Sequence, residues 1–449
     1  MKNFDVIAIG TGSAASTVAS RCRTAGWEVA VVDSRPFGGT CALRGCDPKK
    51  VLVGAAEVID WNRRMAGKGI NGKGIKIDWP ALMRFKNTFV APVPKYREDS
   101  FAKAGIATFH GRARFADKTI VRVGEQTIEA KHVVIASGAC PAKLGIPGEE
   151  HLTTSDQFLE LKKLPKQILF VGGGYISFEF AHVAARAGAE VQILHRSPRP
   201  LAGFDPDLVN QLVKATEAIG VEVHLESPVE AIEKSSKKFI VHASRKSGKK
   251  SFQAELVVHG AGRVPEVDDL DLEKAGIAHT KKGVTVNEYL QSVSNPAVYA
   301  AGDAADSGGL PLTPVASMEG RVVAANLLNG NHQKPNYAGI PSVVFTVPPL
   351  ASVGLQEQSD KAQGLQIRIN HGDTSGWYSS RRVGMKYSGY KVLVEEGSNR
   401  IVGAHLLGSH AEETINLFAM AMRFELTADQ LKEMRYAYPS HSDDISYMV

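Results

Sequence analysis

The sequence of 449 residues predicts an α/β fold with two dinucleotide-binding (Rossmann-like) domains. Two observations predict this class. A strand, a glycine-rich turn, a helix and a second strand follow one another at the start of the chain, and the same pattern returns after residue 166. The composition fits a globular chain that buries its own cores, since 43% of the residues are hydrophobic and 22% are charged.

The first copy of the pattern opens the chain. The apolar run FDVIAIG predicts a buried strand, the following segment has helical spacing, and WEVAVVD predicts the next strand. The glycines permit a tight turn and a close approach of the backbone to a pyrophosphate at the helix N-terminus. The acid that ends the second strand can accept hydrogen bonds from ribose hydroxyls. The predicted cofactor-binding residues of this copy are Gly10, Gly12, Ser13, Ala15 and Asp33.

The second copy contains QILFVGGGYIS, in which Gly172 and Gly174 take the turn positions. Where the first copy ends in an acid, this copy has His195, and Arg196 and Arg199 follow. An acid would repel a 2′-phosphate, whereas arginines bind one. We therefore expect NADPH at this site; the alternative is that the arginines are ordinary surface residues.

Two dinucleotide sites in one chain indicate two nucleotides that exchange electrons. Direct transfer between two nicotinamides is uncommon, so one of the two is expected to be a tightly held flavin. The alternative is that one copy has no ligand, although both copies keep their glycines.

Charge and composition exclude several classes of protein. The net charge of +6 is modest and the basic residues are scattered, so no nucleic-acid partner is expected, and residues 244–250 (SRKSGKK) are interpreted as a solvated hairpin. No apolar run reaches the roughly 18 residues of a membrane span, and the N-terminus has no secretory signal pattern. Four cysteines are too few for a secreted disulfide scaffold. The sequence thus predicts a cytoplasmic protein without a membrane partner.

Eight motifs, in order along the whole chain, resemble those of the pyridine nucleotide-disulfide oxidoreductases, which include glutathione reductase, dihydrolipoamide dehydrogenase and mercuric reductase. The motifs are GTGSAAS, GGTCALRGCDPKK, VVIASGACP, VGGGYISFEFA, HGAGRVPE, NPAVYAAGDAAD, LTPVASMEGR and PSVVFTVPPLASVGLQE. The resemblance implies an enzyme that uses FAD and a pyridine nucleotide and works as a homodimer.

The resemblance also implies a domain organisation. An FAD-binding domain would occupy residues 1–140 and an NAD(P)-binding domain residues 141–265. A central segment, 266–335, would complete the flavin site, and residues 336–449 would form an α+β dimerisation domain. The polar segments IPGEEHLTTSDQF and NGNHQKPNYAGIP, which contain Gly and Pro, lie near two of these boundaries.

Further residues are placed at the two nucleotides by the resemblance. Asp303 would bond the ribitol of FAD, and Thr313 would cap a helix that points at the flavin. Lys49 and Glu179 would form a pair beside the flavin, and Tyr175 would cover it until nicotinamide binds. The other implied contacts are Thr40, Ser137, Gly138, Gly302 and Pro314 for FAD, and Gly262 for NADPH.

The segment CALRGC holds Cys41 and Cys46, five positions apart. Zinc would need further ligands, so no metal is expected, and a crosslink across so short a loop would stabilise little. Five helical positions rise about 7.5 Å, more than the usual Cα separation of a disulfide. A bridge therefore requires a distorted helix, for which Gly45 supplies the freedom. Strained bridges are easily reduced, which points to catalysis.

The resemblance implies separate roles for the two thiols. Cys41 would attack the acceptor, and Cys46 would lie against the flavin as a thiolate. A depressed thiol pKa is expected near Lys49 and a helix N-terminus. Cys22 is expected to pack inside the first helix, and Cys140 is expected in a crossover loop without an evident partner.

The C-terminal motif departs from the family. Its usual His-Pro-Thr-x-Ser-Glu motif supplies a histidine that shuttles protons to the thiols across the dimer interface, and a glutamate that orients this histidine. Here Tyr438 stands at the histidine position and Asp443 at the glutamate position. A phenol of pKa about 10 is a poor base at pH 7 but can donate a proton. His441 is the alternative proton carrier.

The acceptor stays open between a disulfide, a metal ion and a quinone-like or electrophilic oxidant. The chain has no C-terminal cysteine pair of the kind that delivers the metal in mercuric reductases, and Ser20 replaces an arginine with which glutathione reductases bind substrate. We favour an NADPH-dependent flavoenzyme that acts through Cys41 and Cys46. The alternatives are an NAD(P)H oxidase or diaphorase with an incidental disulfide, and a non-enzymatic redox sensor.

Overall fold

A computed structural model describes residues 2–72, 74–246, 248–359 and 364–449. The chain divides into two compact units. Unit 1 consists of Met1–Lys49, Phe85–Ala142 and Arg263–Tyr337, and unit 2 consists of Lys50–Arg84, Lys143–Gly262 and Ala338–Val449. The domain boundaries at residues 140, 265 and 335 stay predictions.

Unit 1 is built on a sheet whose centre is the first apolar run of the chain. Lys2–Ile9 pairs in parallel with Val29–Asp33 on one side and with Gln126–Ile135 on the other. Residues 6–9 are all buried, as expected for a parallel strand covered on both faces. The strands follow the order Ala107–His110, Val29–Asp33, Lys2–Ile9, Gln126–Ile135, Ile120–Val123 and Ala113–Phe115, and Val298–Ala300 also pairs with Gln126–Ile135.

Helices cover this sheet and carry the first nucleotide motif. Gly320 brings two of them together, because a Cβ at this position would lie 2.7 Å from the carbonyl oxygen of Ala14. The helices and helical turns in or entering unit 1 are Ser13–Thr24, Gly39–Arg44, Cys46–Met65, Trp79–Val90, Val93–Ala104, Leu272–Ala275, Gly302–Ala304 and Thr313–Asn329. Short strands pair as Ala139–Pro141 with Arg263–Pro265, and as His279–Thr280, Gly283–Thr285 and Ala305–Asp306.

Unit 2 contains the second nucleotide motif on a parallel sheet. Its strands follow the order Val221–His224, Glu190–Leu194, Gln167–Val171 and Leu256–His259. An antiparallel sheet of Val229–Ser235, Lys238–Arg245 and Gly248–Ala254 adjoins it in sequence. Arg245 pairs with Gly248, so the hairpin predicted for residues 244–250 is confirmed; Ser247 lies outside the described residues.

The C-terminal part of unit 2 is an antiparallel sheet with helices. Its strands follow the order Ser342–Val344, Leu350–Gly354, Ile401–Leu407, Gly389–Glu395 and Ile367–Asp373. The apolar face of Ala411–Arg423, with Ile415 and Phe418, packs into the core of this sheet. The other helices of unit 2 are Glu149–His151, Ser155–Phe158, Tyr175–Arg186, Pro206–Glu217, Tyr378–Arg381, Ala428–Glu433 and Asp443–Tyr447. The predicted fold class is confirmed.

Candidate active site

The first glycine turn has the backbone geometry that its sequence predicts. Gly10 has a φ of +112°, which side chains rarely adopt, and a Cβ there would lie 2.3 Å from the carbonyl oxygen of Ala136. Gly12 is the N-cap of Ser13–Thr24, and no side chain caps that end. The amides of the first helical turn can therefore bind an anion such as a pyrophosphate.

Asp33 ends the second strand and is held by two internal hydrogen bonds. Its Oδ2 accepts the Thr11 hydroxyl at 2.6 Å, and its Oδ1 accepts the Arg35 amide at 2.9 Å. The buried Thr11 hydroxyl accepts in turn from the Gly38 amide at 3.1 Å. A carboxylate has about four acceptor positions, so Asp33 can still bind ribose hydroxyls. No sequence signal points to Thr11, because the position between two turn glycines accepts many residues.

Other groups around this turn fit a flavin dinucleotide. The buried hydroxyl of Ser137 has no hydrogen-bond partner among the described residues, so a bound group can supply one. Gly138 follows it with a φ of +77°. Burial raises the pKa of Asp303, which stands in the turn Gly302–Ala304. The ribitol of FAD carries several hydroxyls that can form hydrogen bonds with buried polar groups such as Ser137 and Asp303. The first site therefore fits FAD.

The second glycine turn repeats the geometry of the first. Gly172 has a φ of +106°, and a Cβ there would lie 2.4 Å from the carbonyl oxygen of Gly260. Gly174 is the N-cap of Tyr175–Arg186 without a capping side chain. Gly262 has a φ of +114°. This turn therefore also fits a pyrophosphate.

His195 follows Glu190–Leu194 and uses both ring nitrogens inside the protein. Nδ1 accepts the Gly173 amide at 3.0 Å, and Nε2 donates to the carbonyl oxygen of Arg199 at 3.0 Å. Burial, with the charge of Arg196, lowers the pKa of His195, so its ring is neutral at pH 7. The imidazole therefore links the glycine turn to the segment that contains the two arginines. Arg196 is exposed and Arg199 is half-buried.

The two cysteines of CALRGC lie on either side of a break between helices. Gly39–Arg44 ends before Gly45, which has φ −139° and ψ −110°, and Cys46–Met65 begins directly after it. A Cβ at Gly45 would lie 2.9 Å from the carbonyl oxygen of Thr40. The predicted distortion is confirmed, and it brings the two free thiols within hydrogen-bond reach.

The two thiols differ in acidity. A hydrogen bond from Cys41, together with Thr313 and Lys49, lowers the pKa of Cys46 to about 6 although burial opposes it. The Cys46 sulfur lies 3.5 Å from the Thr313 hydroxyl. The same hydrogen bond and burial raise the pKa of Cys41. A depressed thiol pKa near Lys49 is thus found for Cys46, while Cys41 keeps its proton.

Two local predictions were wrong. Leu312, not Thr313, is the N-cap of Thr313–Asn329. The Thr-Pro pair fits either placement because proline is tolerated throughout the first turn. Cys140 lies in the strand Ala139–Pro141, not in a loop, because this strand is too short to show a pattern. The packing role of Cys22 is confirmed, since it is fully buried and burial raises its pKa to about 12.

The helix Tyr175–Arg186 carries two predicted residues. Tyr175 is 49% exposed at its start. Glu179 is buried, and its Oε1 accepts the Phe345 amide at 2.8 Å. The pairing of Glu179 with Lys49 stays a prediction.

The C-terminal motif contributes to a pocket of about 400 Å³. Tyr438, which is 78% exposed, and Asp443 both line it. His441 is largely buried, and burial, with the charges of His410 and Arg382, lowers its pKa to about 4. The remaining lining residues are Trp377, Tyr378, Ser379, Arg382, Pro439, Ser440, Asp444 and Tyr447. The acid that faces His441 is Asp444, whose carboxylate lies 4.0 Å from the His441 ring. Tyr438 is therefore the solvent-exposed member of this motif, and His441 is the buried one.

One buried acid was not predicted. Glu319 is fully buried in Thr313–Asn329 and accepts hydrogen bonds from Gly302, Ser307 and Tyr337. A signal was available, because Glu319 follows the buried Val315 by four positions and thus lies on the apolar face of the helix.

Neither a cluster of metal ligands nor a helix suited to crossing a membrane is present in the described part of the chain. No three His, Cys, Asp or Glu side chains in these ranges are grouped so that they could hold a metal ion. In the same ranges, no helix combines the length and the apolar character that a membrane crossing requires.

Comparison with protein families covers almost the whole chain. Residues 4–320 match the family described as pyridine nucleotide-disulphide oxidoreductase. Residues 340–449 match the family described as pyridine nucleotide-disulphide oxidoreductase, dimerisation domain.

Individual relatives agree with this match. Glutathione reductase of Nostoc sp. is 29% identical over 99% of each chain. Mercuric reductase of Staphylococcus aureus is 30% identical over 96% of this chain and 79% of the relative. A solved structure, the Cu(II) complex of HOCl-induced flavoprotein disulfide reductase RclA from Escherichia coli, is similar with a TM-score of 0.89 and 27% identity, over 100% of this chain and 99% of that chain.

Proposed function

The chain belongs to the pyridine nucleotide-disulphide oxidoreductase family. From this premise, we propose that it passes electrons from NADPH to FAD and then to a Cys41–Cys46 disulfide, which reduces an external acceptor. Membership makes it an NAD(P)H-dependent flavoprotein oxidoreductase that uses FAD and a pyridine nucleotide. The choice of NADPH, the working residues and the acceptor are our proposals. The helix break at Gly45, which holds Cys41 against a Cys46 of low pKa, carries the proposal.

FAD is assigned to the first glycine turn. Gly10 and Gly12 would place its pyrophosphate at the helix N-terminus, Asp33 would bind its ribose, and Asp303 its ribitol. The partnerless hydroxyl of Ser137 supports this assignment. When bound, FAD takes two electrons from the reduced nicotinamide and delivers them to the disulfide. The other proposed FAD contacts are Ser13, Ala15, Thr40, Lys49, Gly138, Gly302, Thr313 and Pro314.

NADPH is assigned to the second glycine turn. The neutral His195 at the acid position supports this choice, because it does not repel a 2′-phosphate. Arg196 and Arg199 follow it and would bind the phosphate. The remaining proposed contacts are Gly172, Gly174, Tyr175, Glu179 and Gly262.

The thiol chemistry is divided between the two cysteines. Cys46, with a pKa of about 6, is a thiolate at pH 7, and Thr313 and Lys49 stabilise it. Cys41 hydrogen-bonds to Cys46 and keeps its proton until a metal ion binds its sulfur, since such binding releases the proton to solvent.

We propose a thiophilic metal ion, Cu(II) or Hg(II), as the acceptor class. A disulfide acceptor needs a proton for its leaving thiolate, whereas a metal ion binds thiolates without that proton. His441, buried and with a pKa of about 4, is a poor proton carrier at pH 7, which favours a metal ion. The mercuric reductases and the Cu(II) complex of RclA add support. In balance, the Cys41 thiol and the Cys46 thiolate lose two electrons and one proton, form a disulfide, and reduce two Cu(II) to two Cu(I).

The assembly and location are proposed as well. The match of residues 340–449 to the family's dimerisation domain supports a homodimer. In such a dimer Tyr438 would approach the thiols of the partner subunit, as the family's histidine does. A reducible disulfide as working centre suits the cytoplasm, which keeps thiols reduced.

An anaerobic acceptor screen tests this function. NADPH oxidation is followed with Cu(II), Hg(II), glutathione disulfide and a small quinone, for the wild type and Cys41→Ser. We expect the two metal ions to be turned over at least about tenfold faster than the disulfide, and Cys41→Ser to lose this activity. Equal turnover of every acceptor by wild type and Cys41→Ser would identify a diaphorase instead.

The role of Tyr438 is tested in the same assay. Tyr438→Phe removes the phenol, and Tyr378→Phe, at another exposed tyrosine of the same pocket, is the matched control. With a metal ion as acceptor, both variants should keep wild-type turnover, because no proton donor is required. A specific loss in Tyr438→Phe, with glutathione disulfide as the preferred acceptor, would overturn the metal assignment.

A further inference from the structure

We propose that Glu319 is a positioning residue for FAD, which ties the turn bearing Asp303 to the helix bearing Thr313. The inference rests on the proposed role of Asp303 as an FAD ligand. Glu319 is fully buried, and it lies six residues after Thr313 in the helix Thr313–Asn329. Thr313 in turn contacts the Cys46 sulfur at 3.5 Å, so this helix meets the redox pair at its start.

The two carboxylate oxygens of Glu319 serve different parts of the chain. Oε2 accepts the Gly302 amide at 2.6 Å. Oε1 accepts the Ser307 hydroxyl at 2.6 Å and the Tyr337 phenol at 2.7 Å. Gly302 has a φ of +67° and directly precedes Asp303. Only Oε2 therefore acts on the backbone that aims Asp303, whereas Oε1 holds the loop that follows.

The surroundings of Glu319 leave little room for another arrangement. A Cβ on Gly302 would lie 3.2 Å from the Ala316 Cβ, and one on Gly309 would lie 2.9 Å from the Glu319 Oε1. At the next position, Gly320 brings this helix against Ala14, in the helix that starts at the first glycine turn. The parts that would hold the pyrophosphate, the ribitol and the flavin are thus tied together around Glu319.

A glutamine at position 319 separates the effect of the hydrogen bonds of Glu319 from the effect of its charge. The Gln oxygen can accept from the Gly302 amide, while its NH₂ donates to the hydroxyl of Ser307 or Tyr337, since hydroxyls accept as well as donate. Glu319→Gln therefore keeps the tie and removes the charge, whereas Glu319→Ala removes both. Burial and the nearby Asp303 raise the pKa of Glu319, so the site tolerates a neutral group.

The test measures FAD release from the purified holoenzyme. The dissociation constant is obtained from the recovery of FAD fluorescence on dilution, and circular dichroism gives the unfolding temperature of the same samples. For Glu319→Ala we expect FAD to bind about 10- to 100-fold more weakly, the range of a lost hydrogen bond to a charged group. Glu319→Gln should bind FAD nearly as the wild type does. If Glu319→Ala does not fold, Glu319→Asp replaces it, because its shorter side chain cannot reach Gly302.

Two control variants separate positioning from general stability. Ser307→Ala and Tyr337→Phe each remove one bond to Oε1 but leave Oε2 on Gly302. They should lower the unfolding temperature and leave the FAD dissociation constant nearly unchanged. The inference fails if these controls weaken FAD binding as much as Glu319→Ala, or if Glu319→Gln weakens it equally. Asp303→Asn tests the premise separately from the role of Glu319. Unchanged FAD binding in that variant would refute the role of Asp303 as an FAD ligand.

Discussion

The two glycine turns of this chain are nearly identical in backbone and differ where their second strand ends. Gly10 and Gly172 have φ values of +112° and +106°, and a Cβ on either would collide with a carbonyl oxygen. The second strand then ends in Asp33 in one copy and leads into His195 in the other. The turn fixes where a pyrophosphate can lie, and the residue at the end of the second strand helps to decide which ribose is accepted.

The hydrogen bonds of these two residues sharpen the contrast. Asp33 accepts from Thr11 and the Arg35 amide and keeps acceptor positions for a ribose. His195 accepts from Gly173 and donates to Arg199, so both ring nitrogens are engaged within the protein. The first site therefore keeps acceptors for free hydroxyls, whereas at the second site the proposed recognition of the nucleotide would depend on Arg196 and Arg199.

The largest effect is expected from alanine at the two turn glycines. Gly10→Ala should be purified without FAD, because its Cβ collides with the Ala136 carbonyl. Gly172→Ala should keep FAD but be reduced by NADPH at least about 100-fold more slowly. Absorbance gives the FAD content, stopped-flow gives the reduction rate, and dithionite serves as control reductant. Loss of FAD from Gly172→Ala but not from Gly10→Ala would reverse the assignment of the two sites.

The next effect concerns the arginines that follow His195. Arg196→Ala and Arg199→Ala should each lower kcat/KM for NADPH by about 10- to 100-fold, the loss expected for a charge-assisted bond to phosphate. NADH should be affected little, because it has no 2′-phosphate. Arg84→Ala, at an exposed arginine on Trp79–Val90, is the control. Equal losses with both nucleotides would show that the arginines do not read the 2′-phosphate.

A smaller effect is expected on the ionisation of the two thiols. A cysteine pair follows the first glycine turn in the sequence, but none follows the second. In the dithionite-reduced enzyme, the ultraviolet absorbance of thiolate should appear with a midpoint near pH 6, because the pKa of Cys46 is lowered to about 6. Below that pH the thiolate is protonated and the signal is lost. Thr313→Val should raise the midpoint, and Cys46→Ser should remove the transition. A wild-type midpoint near the ordinary thiol value would contradict the stabilisation of Cys46.

The smallest effect is the pH dependence of stability that His195 contributes. Its folded pKa is lowered below the unfolded value of about 6.5, so the unfolded chain binds the proton more readily. This contribution is present above pH 6.5 and is lost as the pH falls toward the folded pKa. His195→Asn, whose side chain does not titrate but can still accept from Gly173, should lose less stability on acidification. Unfolding temperatures between pH 5 and 8 check this, and parallel curves would contradict it.

Much of the fold was predictable because it depends on short patterns. Apolar runs before glycines at Gly10 and Gly172 specify strand, turn and helix locally, and the structure confirms them. The helix distortion at Gly45 was predictable from the cysteine spacing, if the two cysteines form a bridge, and from the glycine between them.

The features that the sequence did not predict depend on contacts between residues that are distant in the chain. The bonds of Glu319 to Gly302 and Tyr337 come from packing that no local pattern encodes. The burial of His441 against His410 belongs to the same class. Thr313 was misplaced by one residue because its hydroxyl contacts Cys46, 267 positions away, instead of capping its own helix.

Anaerobic titration of the purified enzyme with NADPH is the most direct test of electron flow through the Cys41–Cys46 disulfide. If electrons pass through the disulfide, the first equivalent leaves the flavin oxidised and produces a long-wavelength absorbance from the Cys46 thiolate beside it. In Cys46→Ser the flavin should bleach with the first equivalent. Immediate bleaching of the wild-type flavin, without a long-wavelength band, would contradict this route.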